Sequence, residues 1–473
     1  MADTSTPVPP HSATRGLVAA LLTASLMPLN STMVAVAVPA IGHQFDESPA
    51  SVTQALVATY LIAAIALQSP GGKLGDRIGH WRVFAAGQVA IGAGALLGFL
   101  APDLLLLACC RVLMAVGGAV AVPATVALLR VELPPERRGR AFGTFGATMA
   151  LAAALGPVVG GILVDAFGWR AVFLANVPVL LISALLAAGR RRPTTVRGTT
   201  AFDWPGSVLL TVALTLVVLS AQRGVGAPVL LLAAGVLALA GFAVRERRAE
   251  DPVIAFDLFR SSSFSAGTLL IAAQNLVMYA LLFEVPLLLG RLFHLDARHV
   301  GQTLIFLMAA MVLTSLVAGR LTDRFGARRL AVSGSLVCLA AVALLATSDL
   351  TSAGSIRWPL ALLGVGLGLS GPPAQTAPLS AVEGVRSGMA AGVSSTMRYL
   401  GGVAGIAVLG QVPTLSGGRE AVLHSHHDVL AIFAVALVVG LGCALALPGR
   451  PQDRPRRRSL RRREVLVPGT AQR

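Results

Sequence analysis

Lysine is nearly absent from this chain, since Lys73 is the only lysine among 38 basic residues. The pattern Gly-x-x-x-x-Gly-Lys-Ser/Thr, which cradles nucleotide phosphates, occurs nowhere in the sequence. ATP is therefore not expected to drive any activity of this protein. We also expect no enzyme activity, no cofactor and no resident metal.

Charged residues are scarce as well. They make up 13% of the 473 residues, against 55% hydrophobic residues. This composition excludes a soluble globular protein of this size and makes the lipid bilayer the expected solvent. The few cysteines all lie within apolar runs, so no disulfide framework is predicted; they are Cys109, Cys110, Cys338 and Cys443.

The net charge is strongly positive, at +16. In a soluble chain this would suggest a nucleic-acid partner, but here the charges fall in short loops between apolar runs. Orientation in the membrane explains them better, so no nucleic acid is expected. The arginine-rich tail from Arg450 to Arg463 is expected to contact anionic lipid headgroups.

Long apolar runs dominate the chain, and about 20 such residues suffice for one spanning helix. The first run is interpreted as a retained helix rather than a signal peptide, because many more follow. The sequence predicts fourteen spans, at residues 17–41, 51–71, 82–101, 104–129, 140–164, 171–188, 204–221, 227–244, 265–290, 300–318, 330–347, 358–379, 388–411 and 428–447.

The loop charges are consistent with this count. With a cytoplasmic amino terminus, 30 basic residues fall in predicted inner segments and 6 in outer segments. Cytoplasmic loops of membrane proteins carry such an excess. We therefore expect a multi-pass protein with both termini in the cytoplasm.

An internal repeat divides the chain. Residues 72–82 and 319–329 both read G-[KR]-L-x-D-R-x-G-x-x-R, at an offset of 247 residues or eight predicted helices. Two parallel six-helix halves separated by a two-helix insert account for this offset. The predicted domains are a tail at 1–16, a bundle at 17–190, the insert at 191–260, a bundle at 261–447 and a basic tail at 448–473.

Five motifs in order along the chain carry a family resemblance. They are the twin inner loops, G-P-V-V-G-G at residues 156–161, residues 167–178, F-D-W-P-G at residues 202–206 and R-Y-L-G-G at residues 398–402. The chain resembles the major facilitator superfamily, and within it the fourteen-helix drug:proton antiporters of the EmrB/QacA type. The resemblance implies an all-α exporter of the bacterial cytoplasmic membrane that works by alternating access.

The fifth predicted helix has rows of small residues at a spacing of four, which allow close helix packing. Pro157 is expected to bend it. The resemblance makes Gly156, Pro157, Gly160 and Gly161 an antiporter signature. We expect this helix to lie between the two halves and to shape the pathway, because it holds no ionisable group between Arg140 at its start and Asp165.

Glu284 is the candidate proton carrier, since it is an acid within an apolar run, two residues before Pro286. Burial favours a protonatable carboxyl at such a place. The alternatives are a site for a cationic substrate, or a carboxyl that reaches the outer surface or pairs with an arginine.

Three more polar residues lie within predicted spans. Asn30 stands where family members usually carry a coupling aspartate, so coupling has either moved to Glu284 or is altered or absent; an ordinary interhelical hydrogen bond is the alternative. Arg111 matches the family's fourth-helix arginine, which is linked to proton movement. Arg398 is given the same interpretation, and for both the alternative is a static ion pair.

The twin loops are interpreted as a conformational latch: Gly72, Asp76 and Arg77 in the first, Gly319, Asp323 and Arg324 in the second. Each aspartate could cap the next helix and pair with its neighbouring arginine. Such contacts would favour a state closed inside.

Two further groups are weaker candidates. His424, His426, His427 and Asp428 are assigned to a solvated outer loop rather than to a metal site. The pocket candidates for apolar cations are Tyr60, Met278, Tyr279 and Trp204.

The functional prediction is export of amphipathic or cationic small molecules coupled to proton entry. Two alternatives stay open at this point. One is a dedicated exporter of a single metabolite or lipid, with altered or no proton coupling. The other is a membrane scaffold or sensor, against which the twin loops and the intramembrane charges argue.

Overall fold

The computed structural model describes residues 10–188, 203–220, 227–293, 297–348, 352, 354–383, 386–411 and 419–449, and these contain helices but no β-strand. The arginine-rich tail from Arg450 and the predicted boundary at 190/191 lie outside the described residues. The helices are α1 (Pro10–Phe45), α2 (Pro49–Thr53), α3 (Thr59–Ile78), α4 (His80–Leu100), α5 (Leu104–Val131), α6 (Pro135–Phe167), α7 (Ala171–Leu174), α8 (Asn176–Ala187), α9 (Trp204–Ser220), α10 (Pro228–Glu246), α11 (Ser262–Phe293), α12 (Ala297–Phe325), α13 (Ala327–Thr347), α14 (Arg357–Ser380), α15 (Ser387–Gln411) and α16 (Arg419–Leu445).

Many of these helices are suited to a membrane. Within the described residues, nine are long and apolar enough to span a bilayer, and ten if the two parts of α6 count as one span. The helical segments Ala171–Ala187 and Trp204–Ser220 are apolar but shorter. Helices α14 and α15 are long enough but less apolar, because α14 contains three prolines and α15 is rich in glycine and serine.

The helices form two halves, α1–α8 and α11–α16. One apolar cluster, with Met33 and Phe173, lies mainly in the first half and extends into the insert and into α11, α14 and α15, whereas a second, with Leu363 and Phe433, lies within the second half. The halves meet where α6 packs on α12 and α3 packs on α15, two contacts that the internal repeat makes equivalent. Helices α9 and α10 pack on each other, and α9 also packs on α3.

Asp203 ties the two helices of the insert together. It caps α9 by accepting a hydrogen bond from the Gly206 N–H at 2.9 Å, and Arg245 of α10 donates to it at 2.7 Å. Burial acts to raise the pKa of Asp203, but the hydrogen bonds from Arg245 and Gly206 outweigh it and hold the pKa below its usual range. The carboxylate is therefore ionised at neutral pH and keeps both partners.

Helix α6 bends by 41° between its segments Pro135–Ala153 and Val158–Phe167. Pro157 lies in this break, where the expected bend occurs. Before the break the helix faces the other half, and a Cβ added at Gly143 would lie 2.5 Å from the carbonyl oxygen of Ser315 on α12. After the break it packs on α1, and a Cβ at Gly156 would overlap the Thr32 hydroxyl. The small residues therefore serve two different helix contacts.

Candidate functional site

One end of the interface between the halves is closed by two aspartates. Asp76 of α3 accepts hydrogen bonds from the backbone N–H groups of Gly388 and Met389, at 2.6 and 2.7 Å, at the start of α15. Asp323 of α12 accepts from the N–H groups of Gly139 and Arg140 at 2.7 and 2.9 Å, near the start of α6. Gly388 and Met389 are the second and third residues of α15, so Asp76 is stabilised by free N–H groups and by the helix dipole. Gly139 and Arg140 are the fifth and sixth residues of α6, so Asp323 binds to its side, one turn after its start.

The sequence-based prediction of which groups these aspartates contact was wrong in two respects. Each carboxylate accepts hydrogen bonds from the backbone of a helix of the opposite half rather than capping the next helix in the chain. Neither aspartate forms a described ion pair with the arginine beside it: Arg77 lies 3.9 Å from Asp251, and the Arg324 guanidinium lies over the Phe325 ring at 5.2 Å. The sequence pattern locates the capping group but not the helix that it caps, because the repeat places that helix in the other half.

Glycine makes the closure possible, because the backbones touch beside each aspartate. A Cβ added at Gly72 would lie 2.0 Å from the Gly388 carbonyl oxygen, and one at Gly319 would lie 2.5 Å from the Gly139 carbonyl oxygen. Real Cβ atoms do not approach backbone atoms so closely. We call these two crossings, with Asp76 and Asp323, the closed end.

Arg130 adds a contact at this end that sequence reasoning missed. From the last turn of α5 it donates to the carbonyl oxygen of Glu383, at 3.2 Å, and to that of Val382, both just beyond the end of α14. Cations are favoured at helix C-termini, where carbonyl groups lack partners. The sequence signal for this contact was a basic residue in the last turn of a helix, at the end predicted to be cytoplasmic.

A cavity lies between the halves, lined by α1, α6, α11, α12, α14 and α15. It is open to solvent, and the empty space within it and its opening amounts to about 1040 Å³. The pocket candidates Met278 and Tyr279 line it, whereas Tyr60 is buried against Arg111 and Trp204 is 64% exposed. The described lining residues with large polar side chains are Gln274, Asn275, Tyr279, Gln375, Arg398 and Tyr399.

Glu284 is buried in α11 and pairs with His426 of α16. The His426 Nδ1 and the Glu284 Oε1 are in direct hydrogen-bonding contact, and both side chains are almost fully enclosed. The second carboxylate oxygen, Glu284 Oε2, and the second ring nitrogen, His426 Nε2, are buried without a hydrogen-bond partner among the described residues. Neither residue lines the cavity, although Met278 and Tyr279 of the same helix do. Glu284 thus neither reaches the surface nor pairs with an arginine.

The assignment of His424, His426 and His427 to an outer loop was wrong, because α16 begins at Arg419 and contains all three. His424 and His427 are exposed, and the described residues hold no group of three potential metal ligands. His426 shares a buried helix face with residues one and two turns away. A signal was present, since apolar residues recur around it at helical spacing: Val422, Val429, Leu430 and Phe433.

Arg111 is completely buried in α5. Its Nε donates to the Leu56 carbonyl oxygen at 3.3 Å, within the π-helical turn Gln54–Ala58, and its guanidinium stacks on the Tyr60 ring at 4.1 Å. No described carboxylate pairs with it, so a static ion pair is not its environment. The cation–π contact stabilises the charge in part, while Nη1 and Nη2 of Arg111 are buried without a hydrogen-bond partner among the described residues.

Asn30 forms the interhelical hydrogen bond that was the alternative to a coupling role. Its Nδ2 donates to the Oδ1 of Asn176 on α8 at 2.7 Å, and both residues are buried. The structure thus separates the four candidates: Asn30 and Arg111 lie within the first half, Glu284 within the second, and Arg398 at the cavity.

We expect Asn30→Ala to lower stability modestly, because hydrogen bonds between membrane helices contribute about 0.6 kcal/mol on average. A double-mutant cycle with Asn176→Ala, measured by thermal unfolding in detergent, tests this expectation. A coupling energy of that order is expected; strictly additive losses would contradict a direct interaction.

Comparison with known proteins agrees with this architecture. The profile of the Major Facilitator Superfamily matches residues 20–406. The chain is 32% identical, over 91% of its length and 95% of the relative, to the uncharacterized MFS-type transporter YvkA of Bacillus subtilis. It is 33% identical, over 85% of its length and 77% of the relative, to the tetracenomycin C resistance and export protein of Streptomyces glaucescens.

Among solved structures, the human organic anion transporter MFSD10 superposes with a TM-score of 0.69 at 14% identity, over 92% of this chain and 100% of that one. At this identity the likeness concerns the fold alone. The family profile and the curated relatives carry the assignment. The chain therefore belongs to the Major Facilitator Superfamily and is a multi-pass membrane transport protein, not an enzyme.

Proposed function

We propose that the protein exports amphipathic small molecules by proton antiport with alternating access. The observation that carries this proposal is the cavity between the halves, which both halves line and which lies beside an interface closed by Asp76 and Asp323. The curated relative with an export role in its name, from Streptomyces glaucescens, supports the direction of transport.

Alternating access requires an interface that opens and closes as a unit. The closed end has the required parts: Asp76 and Asp323 occupy equivalent positions in the two halves, and beside each of them glycine allows the backbones of the two halves to touch. Opening would separate α3 from α15 and α6 from α12. The cavity would then become accessible from the side of the closed end.

Proton coupling is assigned to Glu284 and His426. A buried carboxyl with a basic partner is neutral overall while the pair holds one proton, so this proton is well retained in the membrane. Releasing it leaves one negative charge on the pair, so release requires access to water. Asn30 cannot substitute for it, because an amide does not take up a proton at physiological pH. Helix α11 carries both Glu284 and the cavity residues Met278 and Tyr279, so a movement of this helix would link the two.

We further propose fourteen spans, with both termini in the cytoplasm and the five domains at 1–16, 17–190, 191–260, 261–447 and 448–473. Nine of these spans are the clear ones. The other five are the bent α6, the two shorter apolar helical segments, α14 and α15. The excess of arginine in alternate loops supports the orientation. Anionic headgroups are the proposed partner of the basic tail.

Transport into everted membrane vesicles tests the proposed function. The substrate panel contains anionic, neutral and cationic dyes, each measured with and without an imposed pH gradient. We expect at least one dye to accumulate in the vesicles only when their interior is acidic. Equal accumulation with and without the gradient would contradict proton coupling, and no accumulation of any dye would contradict export.

A further inference from the structure

The residues that line the cavity carry charge of one sign only. Arg398 of α15 is the one charged side chain among its described lining residues, and none of these residues is an aspartate or glutamate. The Arg398 Nη2 donates to Gln375 Oε1 at 3.0 Å, and its guanidinium lies over the Phe145 ring at 5.6 Å. Within the described part of the chain no carboxylate neutralises it. The cavity therefore holds a net positive charge.

The cavity also contains a hydrogen-bond donor without an acceptor. Gln274 of α11 also lines the cavity and is only 7% exposed. Its Nε2 is buried without a hydrogen-bond acceptor among the described residues. A buried donor without a partner is costly, and an acceptor on a bound molecule would remove that cost. Arg398 and Gln274 lie on helices that pack directly against each other.

Much of the remaining wall is apolar and adaptable. Four methionines line it, together with the Phe145 ring. Flexible thioethers adjust to ligands of different shape and make favourable contacts with aromatic rings. A flat aromatic body fits such a wall. The methionines are Met149, Met278, Met308 and Met311.

From these observations, and resting on the proposed function, we propose that the cavity selects aromatic compounds that carry an anionic group, a carboxylate or phenolate, over cations of the same shape. The anion pairs with Arg398, which exchanges its Gln375 contact for it, and accepts a hydrogen bond from Gln274. A cation would meet an unneutralised guanidinium in a site of low dielectric constant, where like charges repel strongly. The proposed selectivity narrows the substrates to aromatic anions and excludes the apolar cations for which a pocket was expected from the sequence.

Two dyes with the same fused ring system test the selectivity. Fluorescein is anionic and rhodamine 123 is cationic, and their binding to purified wild-type protein in detergent is measured by fluorescence anisotropy. We expect fluorescein to bind about tenfold more tightly, or better, which corresponds to about 1.4 kcal/mol. Arg398→Gln should weaken fluorescein binding about tenfold, and Arg398→Lys should retain the preference for the anion. Arg260→Gln, at an exposed arginine, is the matched control and should change neither affinity.

The outcomes separate this proposal from the proposed function. Equal or tighter binding of rhodamine 123, absence of fluorescein binding, or unchanged fluorescein binding in Arg398→Gln would each overturn the selectivity. If everted vesicles nevertheless accumulate a cationic dye under a pH gradient, the proposed exporter function holds and only the proposed preference for anions is rejected. Should Arg398→Gln fail to fold, the wild-type preference and Arg398→Lys decide the question.

Discussion

Glu284→Gln is expected to abolish proton-driven accumulation of substrate while leaving the protein folded in the membrane. Glutamine occupies the same space and can bond to His426, but it cannot bind a proton. A gradient of one pH unit supplies about 1.4 kcal/mol per proton, which supports about a tenfold substrate gradient in one-for-one exchange. In the variant, the ratio of substrate inside to outside everted vesicles should fall to about one. The measurement uses any dye that the wild type exports.

The same substitution at an exposed acid of α16, Glu420→Gln, is the matched control and should leave accumulation intact. His426→Gln should also lose accumulation, because it removes the basic partner of the buried carboxyl. Substrate exchange without a gradient should persist in Glu284→Gln, which separates lost coupling from a collapsed cavity. Normal gradient-driven accumulation in Glu284→Gln would place the coupling group elsewhere.

Gly72→Val is expected to hold the closed end open and to stop transport. A side chain at this position would overlap the Gly388 carbonyl oxygen, which belongs to the backbone and cannot rotate away. Overpacking costs about 1–3 kcal/mol, which shifts an equilibrium between closed and open states by about fivefold to 150-fold. Spin labels at Arg82 and Arg320, exposed residues at this end in opposite halves, report the change by pulsed electron resonance in a variant whose four cysteines are serines.

We expect a longer distance between these labels in Gly72→Val than in the wild type. Gly442→Val is the matched control, because a Cβ added at Gly442 of α16 meets no other atom within 4 Å. It should leave both the label distance and transport unchanged. An unaltered distance in Gly72→Val together with normal transport would show that the α3–α15 crossing does not need to close.

Sequence reasoning reached furthest where the signal is local. The membrane as solvent and the twin halves follow from apolar runs and a repeated loop, and the bend of α6 follows from a single proline. Glu284 could be singled out because an acid inside an apolar run is costly unless something compensates it. The compensating residue was missed, since α16 was expected to begin near residue 428 and begins at Arg419.

The sequence by itself determined the environment, the repeat and the chemical types of the candidate groups, because each of these follows from composition over a few turns of chain. The tertiary structure alone decided which groups meet. Asp76 caps a helix more than 300 residues away, and Glu284 is matched with His426 across 142 residues. Between helices in lipid there is little hydrophobic drive, so close packing and polar contacts select the partners. Those contacts depend on the shapes of both surfaces, which no single stretch of sequence contains.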